Sequence, residues 1–278
     1  MRKFLIAAAG LLVSLTALYA FQLPFRTLIS QEGYNNEPIP PDYLDKNEFV
    51  IGRLMYPSGG GRGFGRNGGN WERGGTMWSN DYPIGDRAFA RILRRLTRID
   101  TRSVEQPIDL NDGDDVFNWP WLYAAHMETA DLPDSMILKL REYLNRGGFF
   151  YVDDFWGDSG WARVSEIMAR ILPGSQPEDI PDNDPIFHVL FDLNERFMVA
   201  NANSLRQTGE PWHPNLPGDT VAYWRGIRNA KGRIVIVLNF NSDVGDSWEW
   251  ADRPIYPEKY SNLGMRISTN YVAYAMTH

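Results

Sequence analysis

The chain has 278 residues, a formal charge of −7 and a mean hydropathy of −0.39, with 43% hydrophobic and 23% charged residues. These values describe a chain that can bury a large core, exclude a protein of many membrane spans, and count against nucleic acid as a partner, because a phosphate backbone needs positive charge facing it. The absence of cysteine removes disulfides, thiolate nucleophiles and cysteine-ligated metals in one step.

Met1, Arg2 and Lys3 precede an uncharged stretch from Phe4 to Leu23, the layout of an export signal. Leu18-Tyr19-Ala20 has a small residue only at its last position, and about 20 apolar residues can span a bilayer, so residues 1–23 read as a cleaved signal or a retained anchor. Cleavage would take the charge from −7 to −9 by removing Arg2 and Lys3. Retention would leave the basic end in the cytoplasm and the remainder outside, periplasmic or extracellular, with no other membrane contact. Residues 24–47 carry Pro24, Pro38, Pro40, Pro41 and Asn35-Asn36 without an apolar period, which predicts a linker. Residues 48–278 then form a single domain.

A first buried strand is expected over Phe49 to Tyr56, running into the glycine-rich stretch Ser58 to Gly69. Such a loop could cradle a phosphate with its N–H groups. It lacks a Gly-Lys-Ser/Thr ending and a helix directly after it, so a simple Gly and Arg loop is the plainer reading. Asp81-Tyr82-Pro83 predicts a helix start with Asp81 as cap, and the helix continues to about Arg98. Phe89, Ile92, Leu93 and Leu96 share one face, while Arg87, Arg91, Arg94, Arg95 and Arg98 fall largely elsewhere and could meet an anionic partner or simply water. Trp121 to Ala125 predicts a strand ending at His126 and Glu128, followed by a helix over Pro133 to Arg146. A strand over Phe149 to Val152 delivers Asp153 and Asp154 into a turn, and a helix follows from Ser159 to Leu172.

The proline-rich stretch 173–225 predicts an ordered excursion over one sheet edge, because it also holds Phe187, Phe191, Phe197, Trp212 and Trp224. Ile234 to Leu238 has the continuous β-branched character of a strand covered on both faces, ending in Asn241-Ser242-Asp243. A last helix is expected over Tyr260 to Ala275. The strand and helix alternation implies parallel pairing with right-handed crossovers, hence one rim where the strand ends meet.

That rim would gather Asp81, His126 with Glu128, Asp153 with Asp154, and Asn241 with Asp243 and Asp246. Converging carboxylates suit a hard cation, and two carboxyls of split pKa suit acid and base work. Adjacent strand residues face opposite ways, so only one of Asp153 and Asp154 is expected to meet a ligand while the other caps a helix. Eight of the ten tryptophans lie in expected loops, Trp71, Trp78, Trp119, Trp156, Trp161, Trp212, Trp248 and Trp250. They could stack on sugars or anchor the loops in the core. No Gly-x-Ser-x-Gly elbow follows a strand.

Several of these segments together resemble the bacterial DUF4159 family: Phe49 to Tyr56, then Trp78 to Pro83 with Asp86-Arg87, Arg141 to Leu144 before Gly147-Gly148-Phe149, Asp153-Asp154, Asp184 to Phe187, and Asn241 to Gly245 with Trp248-Glu249. The likeness runs in order over about residues 48–276. It implies a class I glutamine amidotransferase-like, flavodoxin-like fold, a three-layer α/β sandwich with a mostly parallel sheet and long loop insertions. Active amidotransferases place a Cys after the strand equivalent to Phe149 to Val152; this chain has Asp153, Asp154 and Phe155 there and no Cys anywhere, which excludes glutaminase chemistry.

The reading that follows is an exported domain that binds a cell-envelope glycan or envelope protein at the rim. The binding residues would be Asp81, Asp86, Arg87, Asp153, Asp154, Asn241, Asp243 and Trp248. No cofactor is predicted, and a divalent cation remains open. Two alternatives stand beside it: a hydrolase, metal-assisted or not, using Asp153 or Asp154 with His126, and a structural envelope component that assembles through the Arg87 to Arg98 face.

Overall fold

The computed structural model describes residues 25–28, 38–59, 69–214 and 216–278. The Phe4 to Leu23 stretch, expected to be a signal or anchor, and nearly all of the glycine-rich stretch lie outside them. No helix among the described residues is long and apolar enough to cross a membrane.

Seven strands form one sheet: β1 (Gly52–Leu54), β2 (Gln106–Ile108), β3 (Trp121–Ala125), β4 (Phe149–Phe155), β5 (Glu178–Asp179), β6 (Tyr223–Arg228) and β7 (Ile234–Phe240). Their spatial order is β2-β1-β3-β4-β7-β6-β5. The first five in that order run parallel, and β6 and β5 add antiparallel at one edge. Among the described residues six α-helices accompany them: α1 (Ile84–Leu96), α2 (Asp134–Asn145), α3 (Gly157–Ile171), α4 (Ala202–Thr208), α5 (Val244–Glu249) and α6 (Glu258–Thr277).

Alternation along the strands builds two cores. Phe150 and Val152 of β4 join Leu122, Leu238, and the apolar faces of α2 and α3 through Leu140, Ile167 and Met168. Phe149 and Tyr151 point the other way, onto Phe89 of α1, Val244 and Trp248 of α5, and Ile267 and Tyr271 of α6. Helices thus cover both faces, giving the three-layer α/β sandwich expected from the sequence. The entry into β4 is tight. Gly148 lies under the Tyr143 ring, where a Cβ would come within 2.3 Å of it.

Three differences from the sequence reading bear on the site. The excursion supplies β5, α4 and the start of β6, so it extends the sheet as well as covering it. The predicted linker touches the domain at several of its described residues: Leu28 lies against the core, Arg26 pairs with Asp112, and Asp42 pairs with Arg94 at 2.7 Å. The β4–β7 register is irregular between Val152 and Phe155, a bulge that re-aims the two acids between them.

Candidate functional site

Four non-glycine residues among those described hold positive φ: Asp81 at 59°, His126 at 52°, Asp154 at 51° and Asn241 at 57°. Asn, Asp and His tolerate this region best among side-chain-bearing residues, yet it still costs of order 1 kcal/mol each. Three of the four terminate β3, β4 and β7, and the fourth sits just before α1. Left-handed geometry therefore marks the rim that parallel pairing predicts.

The bulge separates the roles of the adjacent acids. Asp153 faces the α5 side, where its Oδ2 accepts from the Val244 and Gly245 N–H groups at 2.8 and 2.9 Å and from the Tyr123 hydroxyl at 3.3 Å. It caps α5, not the helix that follows it in sequence. Asp154 turns toward β3: its Oδ2 lies 2.7 Å from His126 Nε2, and its Oδ1 accepts from Trp156 Nε1 at 2.7 Å. The other imidazole nitrogen, Nδ1, meets Glu128 Oε1 at 3.2 Å. A carboxylate, an imidazole and a second carboxylate thus stand in line at the end of β4.

Charge is concentrated here and water is excluded. Asp153, Asp154 and Asp243 are fully buried, and Asp81 and Asp246 nearly so. Burial disfavours the His126 imidazolium, but Asp154 and Glu128 outweigh it and raise its pKa well above the usual value. Burial likewise opposes ionisation of Asp154, and His126 reverses that, holding the carboxyl below its ordinary range. Asp153 has no such partner, so burial and then the charges of Asp243 and Asp154 push it well up. Asp243 rises to about 7, through burial and then Asp154. Asp246 rises well above its usual range through burial and then Asp243.

One oxygen from each of Asp81, Asp154 and Asp243 lies within 4.8 Å of the others. Asp81 reaches this cluster because it does not cap α1; that helix has Pro83 at its N-cap and no side-chain cap. Gly245 makes room, since a Cβ there would stand 2.9 Å from Asp81 Oδ2 and 2.7 Å from the Tyr123 hydroxyl oxygen. Asp243 is steadied by Asn201 Nδ2 at 2.8 Å and by the Asp246 N–H at 2.8 Å.

Other expected binding residues have different work. Asp86 and Arg53 form a bidentate pair at 3.1 and 2.8 Å with no exposure, and Arg87 pairs with buried Glu105 at 3.1 Å. Both Asp86 and Arg87 are therefore interior ion pairs. Trp248 stacks on Phe89 at 4.6 Å and is a core residue. Asn241 fastens the excursion: its Nδ2 donates to the Gly218 and Val221 carbonyls at 2.7 Å, and its Oδ1 accepts from Gly157 N at 2.9 Å. Of the tryptophans expected in loops, Trp161 and Trp248 lie instead in α3 and α5; Trp78, Trp119, Trp156 and Trp248 are buried and act as apolar anchors, while Trp71, Trp161, Trp212 and Trp250 are half-buried.

The excursion also brings in a residue that spacing did not reveal. His213 sets its ring edge against Trp156 at 4.8 Å. Burial lowers its pKa, the charge of Asp154 opposing that and the charge of His126 adding to it. Asn201 was likewise illegible as a site residue, because its role depends on contacts made only in the fold; Trp156, expected as a sugar platform or a core anchor, instead donates to Asp154.

The chain matches the family described as Domain of unknown function (DUF4159) over residues 70–276. It belongs to that family. The DUF4159 match takes in α1 and every strand except β1, and therefore all of the rim residues named above. No curated protein matches the chain.

Proposed function

We propose that this DUF4159 domain holds a divalent cation between Asp81, Asp154 and Asp243 and through it binds an oxygen-rich ligand of the cell envelope, such as a glycan. The observation that carries the reading is the approach of three buried carboxylates, from three separate segments, to within 4.8 Å of one another. Hard cations take six or more oxygens, and three carboxylates leave positions for oxygens of a ligand. The uncharged Phe4 to Leu23 stretch supports export or tethering of the domain. His126, bonded to Asp154, and its neighbour Glu128 keep side chains 15% and 23% exposed, which gives the site a partly open side.

Thermal unfolding of the full chain in detergent, after chelation and then with Ca²⁺, Mg²⁺ or Mn²⁺, tests this. An ion at about a hundredfold excess over its Kd should raise Tm by roughly 5–10 °C. Asp154→Asn and Asp243→Asn should each abolish that increment whatever they do to the starting Tm. No increment with any ion, or the same increment in both variants, would refute it.

A hydrolytic reading has its own support in the Asp154–His126–Glu128 line. Asp154 is favoured over Asp153 as the acting carboxylate, since Asp153 is occupied by two backbone N–H groups. The imidazolium next to Asp154 could protonate a leaving group while Glu128 orients the ring. Chromogenic ester, phosphoester and glycoside substrates test it, with His126→Gln expected to lose any turnover found.

A further inference from the structure

The path by which the chain enters the domain runs beside an arginine surface. Directly after the uncharged stretch, Phe25 packs on Tyr43, the Arg102 guanidinium lies 5.7 Å above the Phe25 ring, and Arg26 pairs with Asp112. Tyr43 adjoins Asp42, whose carboxylate pairs with Arg94 at 2.7 Å. Two contacts therefore separate the end of the uncharged stretch from the last turn of α1. That turn carries Arg94 and Arg95, with Arg91 in the turn before it and Arg98 just beyond, and all four are exposed. Arg91, Arg95 and Arg98 have no ion-pair partner among the described residues. Exposed apolar side chains lie on the same segments: Ile39 and Leu44 on the entering chain, and Leu96 on α1, at 41%, 65% and 49%.

We propose that this surface docks on the head groups of an anionic phospholipid bilayer, with residues 4–23 as the anchor; the inference rests on that part of the functional reading. A helix C-terminus favours cations, which explains one or two arginines there. It does not explain exposed Leu96 or the seating of the entering chain next to them. A residue anchored within two contacts of the membrane exit is held near the head groups, where each added cation strengthens attraction to anionic lipid and apolar neighbours can enter the interface. The docked face is the end of α1 away from the rim, since Asp100, just past the helix, bonds the start of the β1 segment through Phe49 N at 3.0 Å. The acid cluster then faces outward.

Because the chain has no cysteine, Leu96→Cys gives a unique labelling site. The full chain with that substitution carries an environment-sensitive dye and is reconstituted in nanodiscs of phosphatidylcholine with or without phosphatidylglycerol, using lipids that quench on contact. Co-elution with pure phosphatidylcholine discs reports the anchor by itself. Docking predicts quenching that is several-fold stronger with phosphatidylglycerol, falls at about 0.5 M NaCl as the charges are screened, and disappears in Arg91→Gln/Arg95→Gln/Arg98→Gln. Equal quenching on both lipids, or loss of quenching through self-association of the chain, would overturn it. If the chain fails to join the discs, the labelled protein is mixed with phosphatidylglycerol vesicles, and an unquenched dye there overturns the surface as well.

Discussion

Asp81 and Gly245 show how the rim depends on single atoms. An alanine at 245 would press its Cβ against the Asp81 carboxylate and the Tyr123 hydroxyl, overpacking that costs about 1–3 kcal/mol. Urea unfolding of Gly245→Ala should show that loss, and its cation-dependent Tm increment should fall because Asp81 is displaced. Interior charge is as exacting. Asp86→Ala strands Arg53, which is fully buried and also lies 4.5 Å above the Tyr123 ring. The expected loss is roughly 3–5 kcal/mol. Arg53→Met/Asp86→Leu should recover most of it, and recovery below half would show that the pair does more than neutralise itself. The candidate site was partly legible at this scale. Asp153 and Asp154 announced themselves by ending a strand, whereas Asp81 looked like a helix cap because no sequence pattern reports a left-handed backbone. Asp86, Arg87 and Trp248 resembled ligand residues for a related reason: polarity and aromaticity do not say which way a side chain points.

Elements were legible in proportion to their apolar continuity. β7 reads as Ile-Val-Ile-Val-Leu, and β4 follows a Gly pair, so both stood out. β2 is Gln-Pro-Ile, three residues with a proline, and β6 is broken by Arg225 and Arg228, so neither shows a strand period. α5 has six residues and is held by Asp153 and Asp243 from outside its own sequence. The β4 entry gives a test: Gly148→Ala would force the Tyr143 ring aside and should lower stability by roughly 2–3 kcal/mol in urea. The excursion gives another. His188 bridges the Asp182 carbonyl at 2.8 Å and the Asp192 carboxylate at 2.9 Å, and these partners raise its pKa. A raised histidine adds stability that is complete below the unfolded value near 6.5 and is lost as pH climbs through the folded one. The wild-type urea midpoint should therefore fall, relative to His188→Gln, as pH rises above about 6.5. Parallel pH profiles would show that the bridge is not formed in solution.

For the whole molecule, the three layers and the common rim followed from alternation of strands and helices, and the packing of the entering chain did not, because it rests on isolated contacts such as Arg26 with Asp112. The two ends of the sheet have a consequence for assembly. At one margin stands β2 with Pro107 in its centre, which lacks an N–H to offer another strand; at the other stands β5, two acidic residues long. The first is buried along its whole length, the second is exposed but very short, and neither gives a neighbouring chain much to pair with. The sheet is thus terminated on both sides, and copies of this domain cannot zip edge to edge into continuous ribbons.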